Sequence, residues 1–217
     1  MFVHGLQFLL RGGPVMWPLF VCAILSTTVM IERAGALRRA LGGADLLVAR
    51  VMQLMHDERY DEALDTARSH GGPVGRVLAH AVSNRHRDVP AIERSLEVVA
   101  QEETPKITQR LGVLDTIITV SPLLGLLGTV TGMIGAFNVV GDPRSLGGPA
   151  AITGGVGQAL IATATGLAIA IVTLVGYNAL GEQARAVVAA MERGATRAIE
   201  IIASRPAEEP AYEDANA

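Results

Sequence analysis

Charged side chains are nearly absent from the second half of this chain, because residues 116–181 carry only two, Asp142 and Arg144. These two charges lie close together and divide the stretch into two long apolar segments. About 20 apolar residues are enough to cross the hydrocarbon core of a bilayer as a helix. Lipid offers no partner to a free backbone group, so each segment must be helical. The shortage of charge excludes one soluble domain and predicts a pair of membrane spans.

Other absences exclude most soluble chemistry. Cys22 is the only cysteine, so an internal disulfide is excluded. The net charge of -3 gives no basic surplus for a nucleic-acid partner. The glycine-rich run 125–132 lacks the lysine of a phosphate loop, and the five histidines show no metal-ligand spacing. We therefore expect no cofactor, no metal, no catalytic residue and no enzymatic activity.

The apolar segments also lack any Asp, Glu, Lys, Arg or His within the hydrocarbon, since Asp115 falls at the edge of the first segment. A proton relay through a membrane normally needs such a group. If this protein conducts ions, the titrating residue must come from another chain.

The basic residues set the expected topology. Of 18 basic residues, 12 lie in 33–110 and four follow Gly181, against one before residue 12 and one at Arg144. The positive-inside rule then places 33–110 and the C-terminus in the cytoplasm. The predicted segments are an uncleaved outer interfacial helix at 1–11, spans at 12–32, 111–141 and 152–181, a cytoplasmic helical region at 33–110, a periplasmic loop at 142–151, and a cytoplasmic helix with a disordered tail at 182–217.

Helical periodicity extends beyond the spans. The pattern predicts one helix from about residue 47 to a stop at Gly71-Gly72-Pro73, and a second over 74–84. No breaker other than Pro105 separates the next pattern from the second span, so we expect one helix over 91–140, bent at Pro105 and Pro122. The predicted fold class is an all-α integral membrane protein with three spans and long cytoplasmic helical extensions.

The two later spans are rich in small residues: residues 116–181 hold 13 of the 24 glycines and eight threonines. Small residues recur at helical spacing on one face of each span, and this lets membrane helices approach closely. We expect helix packing or pore lining at Gly125, Gly128, Gly132 and Gly135 in the second span and at Gly155, Ala159, Ala162, Gly166, Ala170 and Thr173 in the third.

Two threonines lie at matching depth. Thr129 is 12 residues inside Gly141 and Thr163 is 11 residues inside Ile152, so both hydroxyls are about 17 Å below the outer edge at 1.5 Å per residue. They predict one polar layer near mid-membrane. Each hydroxyl could instead bond its own helix at a carbonyl three or four residues back. Gln158, about one turn from Thr163, could orient a partner or bond across helices.

Two long motifs carry a resemblance. Ser121-Pro-Leu-Leu-Gly-Leu-Leu-Gly-Thr-Val-Thr-Gly-Met-Ile-Gly-Ala-Phe137 resembles the signature of the MotA, TolQ and ExbB family of ion-driven motor subunits. Gly157-Gln-Ala-Leu-Ile-Ala-Thr-Ala-Thr-Gly-Leu-Ala168, followed by Tyr177-Asn178, looks like the matching third-span motif. The opening Gly12-Gly-Pro-Val-Met-Trp-Pro18 and the exit Ile31-Glu-Arg33 are similar to ExbB-like members. The resemblance covers nearly the whole chain except the tail.

The resemblance implies a homo-oligomer, typically a pentamer, around a dimer of a single-span partner of the ExbD or TolR type. That partner brings the membrane aspartate, and ion flow driven by the proton motive force acts on a TonB- or TolA-type protein. By position, Thr129 and Thr163 match the pore threonines that face this aspartate. Gln158 stands where many members have Glu.

Three spans favour the ExbB and TolQ branches over the flagellar branch, so we expect an ExbB-like subunit in the bacterial inner membrane, with its N-terminus periplasmic and its C-terminus cytoplasmic. TolQ-like envelope constriction and a gliding-type motor stay open as alternatives. A structural scaffold without ion flow is a further alternative. The ion is H⁺ or Na⁺, and the missing internal acid favours H⁺.

Overall fold

The computed structural model describes residues 12–141 and 149–204. The predicted interfacial helix at 1–11, most of the loop at 142–151 and the predicted disordered tail after residue 204 lie outside the described residues. The described residues form seven α-helices and contain no strand. The helices are α1 (Met16–Leu41), α2 (Ala44–His56), α3 (Tyr60–His70), α4 (Gly72–Ser83), α5 (Val89–Thr108), α6 (Leu111–Gly141) and α7 (Pro149–Ala203).

The chain divides into two compact units, and the first comprises 1–36 and 108–183. It contains the first part of α1, all of α6 and the first part of α7. Val15, which directly precedes α1, and Leu19 of α1 pack with Ala162 of α7 in a small apolar cluster. Most of the large apolar side chains of this unit point away from the chain instead, among them Trp17, Phe137, Leu160 and Val175. Such a distribution suits helices that are surrounded by lipid or by other chains.

Three helical stretches of the described chain are long and apolar enough to cross a membrane, within Met16–His56, Val89–Asn138 and Thr153–Ala203. Each overlaps one of the three predicted spans, at 12–32, 111–141 and 152–181. α7 continues as one helix to Ala203, so the third span and the helix that follows it are not separated by a turn.

The second unit comprises 37–107 and 184–217. Its core is apolar and includes Val51, Leu54, Leu78 and Ile92. The last part of α7 adds Met191 to this core, and Gly194 lets α7 approach Leu78 closely. These helices therefore bury a core of their own, although their sequence is rich in charge.

One buried carboxylate links two helices of this unit. Glu103 of α5 is 3 % exposed and pairs with Arg76 of α4 and, at 2.8 Å, with Lys106 of its own helix. Burial raises the pKa of Glu103, but hydrogen bonds from Arg76 and Lys106 and the charges of both outweigh it, so the pKa lies below its usual range.

The single long helix predicted over 91–140 is wrong, because α5 ends at Thr108 and α6 begins at Leu111. Arg110 adopts a left-handed backbone with φ of 66°, which cannot continue an α-helix. Its guanidinium pairs with Glu32 of α1, and Arg33 donates to the Gln109 side chain at 3.0 Å. Side-chain contacts with α1 thus accompany the break, while Pro105 and Pro122 both lie inside helices.

The predicted helix from about residue 47 to Gly71 is also wrong, because it is divided into α2 and α3. Glu58 has φ of 61° and interrupts the helix between them. The predicted 74–84 helix corresponds to α4.

Candidate functional site

A close seam between α6 and α7 forms the frame of the candidate site. A Cβ atom added to Gly128 would lie 2.5 Å from the Cβ of Ala162, and one added to Gly132 would lie 3.1 Å from the Cβ of Ala159. One added to Gly166 would collide with the backbone oxygen of Ser121. The two backbones are therefore so close that only hydrogen fits at several positions, as small-residue faces of membrane helices permit.

Three of the four glycines that were predicted from their spacing to share one face of α6 lie in this seam. A Cβ added to Gly125 would lie 3.0 Å from the Cα of Thr163, whereas no described residue lies within 4 Å of the corresponding position at Gly135. Ala136 is buried instead of Gly135, and its methyl group packs against Gly155 of α7. One helical turn is about 3.6 residues, so residue 136, four positions after Gly132, lies closer to the α7-facing side of α6 than residue 135, three positions after it. No described residue of the chain covers Gly135.

Thr163 connects the two helices. Its hydroxyl donates to the backbone carbonyl of Gly125 across the seam at 3.0 Å, rather than to a carbonyl of its own helix. The close approach at Gly125 makes this bond possible, because a larger side chain there would hold α7 away. The Thr163 oxygen keeps its lone pairs available to a further donor.

Thr129 lies one turn further along α6 and bonds locally. Its hydroxyl donates to the carbonyl of Leu126 at 2.6 Å, three residues back. The side chain is only partly buried, so its oxygen can accept a hydrogen bond from outside the chain. Thr163 lies opposite Gly125, which is four residues before Thr129 on α6. The hydroxyls of Thr129 and Thr163 are therefore offset along the helix axis by about one turn, or 6 Å.

Gln158 lies beside the start of α1. Its side-chain amide occupies the position that a Cβ of Gly13 would take, and Gly13 has φ of 77°, so a larger residue would be both strained and blocked there. Gln158 thus packs within the chain, against the turn that leads into α1.

Ser121 is a functional candidate that the spacing argument missed. It is fully buried where α6 meets Gly166, and its hydroxyl has no hydrogen-bond partner among the described residues. The sequence signal that could have found it is its place directly before Pro122, which lies inside α6 and has no N–H to donate.

The site can form hydrogen bonds but cannot take up a proton itself at neutral pH. Its polar groups are the hydroxyls of Thr129, Thr163 and Ser121, the amide of Gln158 and backbone carbonyls, and none of these titrates near neutrality. No group of three His, Cys, Asp or Glu side chains that could hold a metal ion occurs among residues 12–141 and 149–204. The side chains named here can therefore accept and donate hydrogen bonds, but they do not include a group that exchanges a proton near neutral pH.

Comparison with known proteins gives a consistent result. The sequence profile of the MotA/TolQ/ExbB proton channel family matches residues 69–193. The chain is 33% identical over 173 residues to the ExbB-like 1 biopolymer transport protein of Synechocystis sp., covering 79% of this chain and 68% of that protein.

More distant relatives align over a similar share. Biopolymer transport protein exbB1 of Vibrio cholerae is 28% identical over 83% of this chain and 80% of its own length. Biopolymer transport protein ExbB of Neisseria gonorrhoeae is 28% identical over 78% of this chain and 83% of its own length. With three membrane-length apolar helices and these relatives, the chain is a multi-pass membrane protein and belongs to the MotA/TolQ/ExbB proton channel family.

Proposed function

We propose that this chain is an ExbB-like subunit of an inner-membrane motor driven by the proton motive force. It would work with a single-span partner of the ExbD type to energise TonB-dependent transport across the outer membrane. The family assignment and the biopolymer-transport names of the relatives support this function. The proposed orientation has a periplasmic N-terminus and a cytoplasmic C-terminus, as the distribution of basic residues favours.

The observation that carries the mechanism is the pair of hydroxyls at Thr129 and Thr163 on a seam without any titrating group. Both hydroxyls donate to backbone carbonyls, at 2.6 and 3.0 Å, so their oxygens are oriented as acceptors. A protonated carboxyl group of the partner could donate to these acceptors inside the membrane. The chain supplies the acceptors and the partner supplies the carboxylate that carries the proton.

The exposed apolar surface supports assembly around such a partner. Leu123, Leu126, Val130 and Phe137 of α6 all point away from the chain, on either side of Thr129. In a homo-oligomer, typically a pentamer in this family, these side chains would contact neighbouring copies, lipid or the partner. Gly135, which no described residue approaches within 4 Å, would then belong to a surface between chains.

Cells that depend on TonB-linked transport test the proposal. Replacing Thr129 or Thr163 by Ala should abolish motor output while the complex with the partner still assembles, because each change removes one acceptor and little volume. Motor output is measured as growth on a substrate that needs this transport, and assembly as co-purification of the partner. If both variants keep full output, the chain is a structural scaffold and the proposal fails.

Thr131 provides a matched control. Its hydroxyl donates to the carbonyl of Leu127 at 3.0 Å, and it lies on α6 two residues from Thr129. Thr131→Ala therefore removes the same group at nearly the same depth, and motor output should persist. A TolQ-like role would show the same dependence on Thr129 and Thr163 but with defects in envelope constriction instead of transport.

A further inference from the structure

Ser121 differs from every other hydroxyl of α6. The hydroxyls of Thr116, Thr119, Thr129 and Thr131 each donate to a carbonyl three or four residues back. Ser121 is 0 % exposed, yet its hydroxyl has no partner among the residues that the structure describes. A buried hydroxyl without a hydrogen bond costs free energy, so a partner is needed at this point.

The backbone next to Ser121 offers another polar group. Pro122 has no N–H, so it cannot donate to the carbonyl of Ile118 four residues earlier, as an ordinary helical residue would. The hydroxyl of Ser121 and this carbonyl belong to the same turn of α6. Together they can hold a water molecule, which needs two or more polar partners when it is buried.

The position of Ser121 is intermediate along the membrane. It is eight residues from Thr129 and six from Asp115, which is about 12 Å and about 9 Å along a helix. Gly166 contacts both levels, because a Cβ added there would meet the backbone oxygen of Ser121 and the Cα of Gly125, whose carbonyl accepts from Thr163. The backbone of Ser121 thus lies on the same α6–α7 seam as Gly125, further toward the proposed cytoplasmic side.

We propose that Ser121 binds a water molecule and relays protons from the threonine layer toward Asp115. This inference rests on the proposed ion-conducting function, and it places the inner part of the path between α6 and α7 of one chain. The ligand is a water molecule bound on the Asp115 side of Ser121, and the proton arrives as a separate hydrated proton from the threonine side. Neither the donor nor the acceptor capacity of the Ser121 hydroxyl is engaged, so it can accept on one side and donate on the other.

The transfer leaves Ser121 unchanged. A hydrated proton on the threonine side gives its proton to the Ser121 oxygen and becomes neutral water. The hydroxyl proton that Ser121 already carried passes to the bound water, which becomes the hydrated proton on the Asp115 side. Two O–H bonds break, one in the incoming hydrated proton and one in the Ser121 hydroxyl. Two O–H bonds form, one on the Ser121 oxygen and one on the bound water, and no oxidant or reductant is involved.

The test uses the full complex with its partner in proteoliposomes that contain a pH-sensitive dye. Proton flux after an imposed pH gradient is divided by the amount of assembled complex, so a variant with low yield still gives a result. Ser121→Ala should lower the flux about tenfold, the effect of losing roughly one hydrogen bond from the barrier. Ser26→Ala is the matched control, because Ser26 is 3 % exposed and its hydroxyl donates to its own helix at Ala23.

The variant Ser121→Gly distinguishes a proton-relay role of Ser121 from a role in helix packing. Removing the whole side chain leaves room for a second water, so the flux of Ser121→Gly should exceed that of Ser121→Ala. A purely structural role predicts the opposite order, because glycine weakens a helix relative to alanine. If Ser121→Ala keeps the wild-type flux while Thr129→Ala abolishes it, the Ser121 relay is overturned and the proposed function stands. If Thr129→Ala, Thr163→Ala and Ser121→Ala all keep wild-type flux, the proposed function itself fails.

Discussion

Thr129 and Thr163 use their hydroxyl protons in different ways. Thr129 donates to Leu126 of its own helix, the local alternative that the sequence left open, whereas Thr163 donates across the seam to Gly125. Depth along the chain predicts that the two residues share one region of the membrane. It does not predict the cross-helix bond, because that bond depends on how far α6 and α7 slide past each other. Thr163 is therefore both an acceptor on the proposed path and a link between helices.

This double role predicts a stability effect at Thr163. Thr163→Val keeps the shape but removes the donor to Gly125, so the free energy of unfolding should fall by about 0.6 kcal/mol, the usual size of such bonds in membranes. The measurement is unfolding of the full chain by a denaturing detergent. Thr165→Val is the control, since Thr165 donates to Ile161 of its own helix at 2.8 Å. Equal losses in the two variants would show that the bond across the seam contributes nothing specific.

At the scale of the elements, the α6–α7 seam depends on glycines that face backbone. Gly166→Ala should lower the free energy of unfolding by about 1–3 kcal/mol, because the new methyl group would collide with the backbone oxygen of Ser121. Gly157→Ala, on the same helix, meets none of the described residues within 4 Å and should be neutral or slightly stabilising. Detergent unfolding of both variants checks this. A Gly166→Ala protein as stable as Gly157→Ala would mean that the helices are further apart than described.

The elements also show what sequence patterns can and cannot predict. The three spans follow from apolar length, and Gly125, Gly128 and Gly132 follow from helical spacing. The breaks at Arg110 and Glu58 do not, because arginine and glutamate carry no preference for the left-handed backbone that they adopt here. At Arg110 the break coincides with an ion pair to Glu32, a contact between residues far apart in the chain. Such contacts cannot be read from local periodicity, and the same holds for the missing partner of Ser121.

At the scale of the whole molecule, the stability of the second unit should depend on pH. The lowered pKa of Glu103 means that its ionised form is stabilised by folding, so this contribution is present above the unfolded pKa of about 4.3 and is lost as pH falls through the lower folded value. Glu103→Gln should therefore destabilise the protein near pH 7 by about 1–3 kcal/mol. The difference from the wild type should shrink below about pH 4.

Thermal unfolding of the full chain in detergent, followed by helical circular dichroism at several pH values, measures this. Glu102→Gln is the control, because Glu102 is the adjacent residue and is exposed. A deficit in Glu103→Gln that stays the same from pH 7 to pH 3 would contradict the role of the ion pairs with Arg76 and Lys106.

The central claim for the whole molecule is that it supplies hydroxyl acceptors to a proton carried by another chain. The most direct measurement is proton flux through the reconstituted complex with Thr129→Val compared with Thr131→Val. Both substitutions remove a hydroxyl that donates to its own helix, so their effects on folding should match. We predict that Thr129→Val reduces flux to background and that Thr131→Val conducts like the wild type. Wild-type flux through Thr129→Val would contradict the claim.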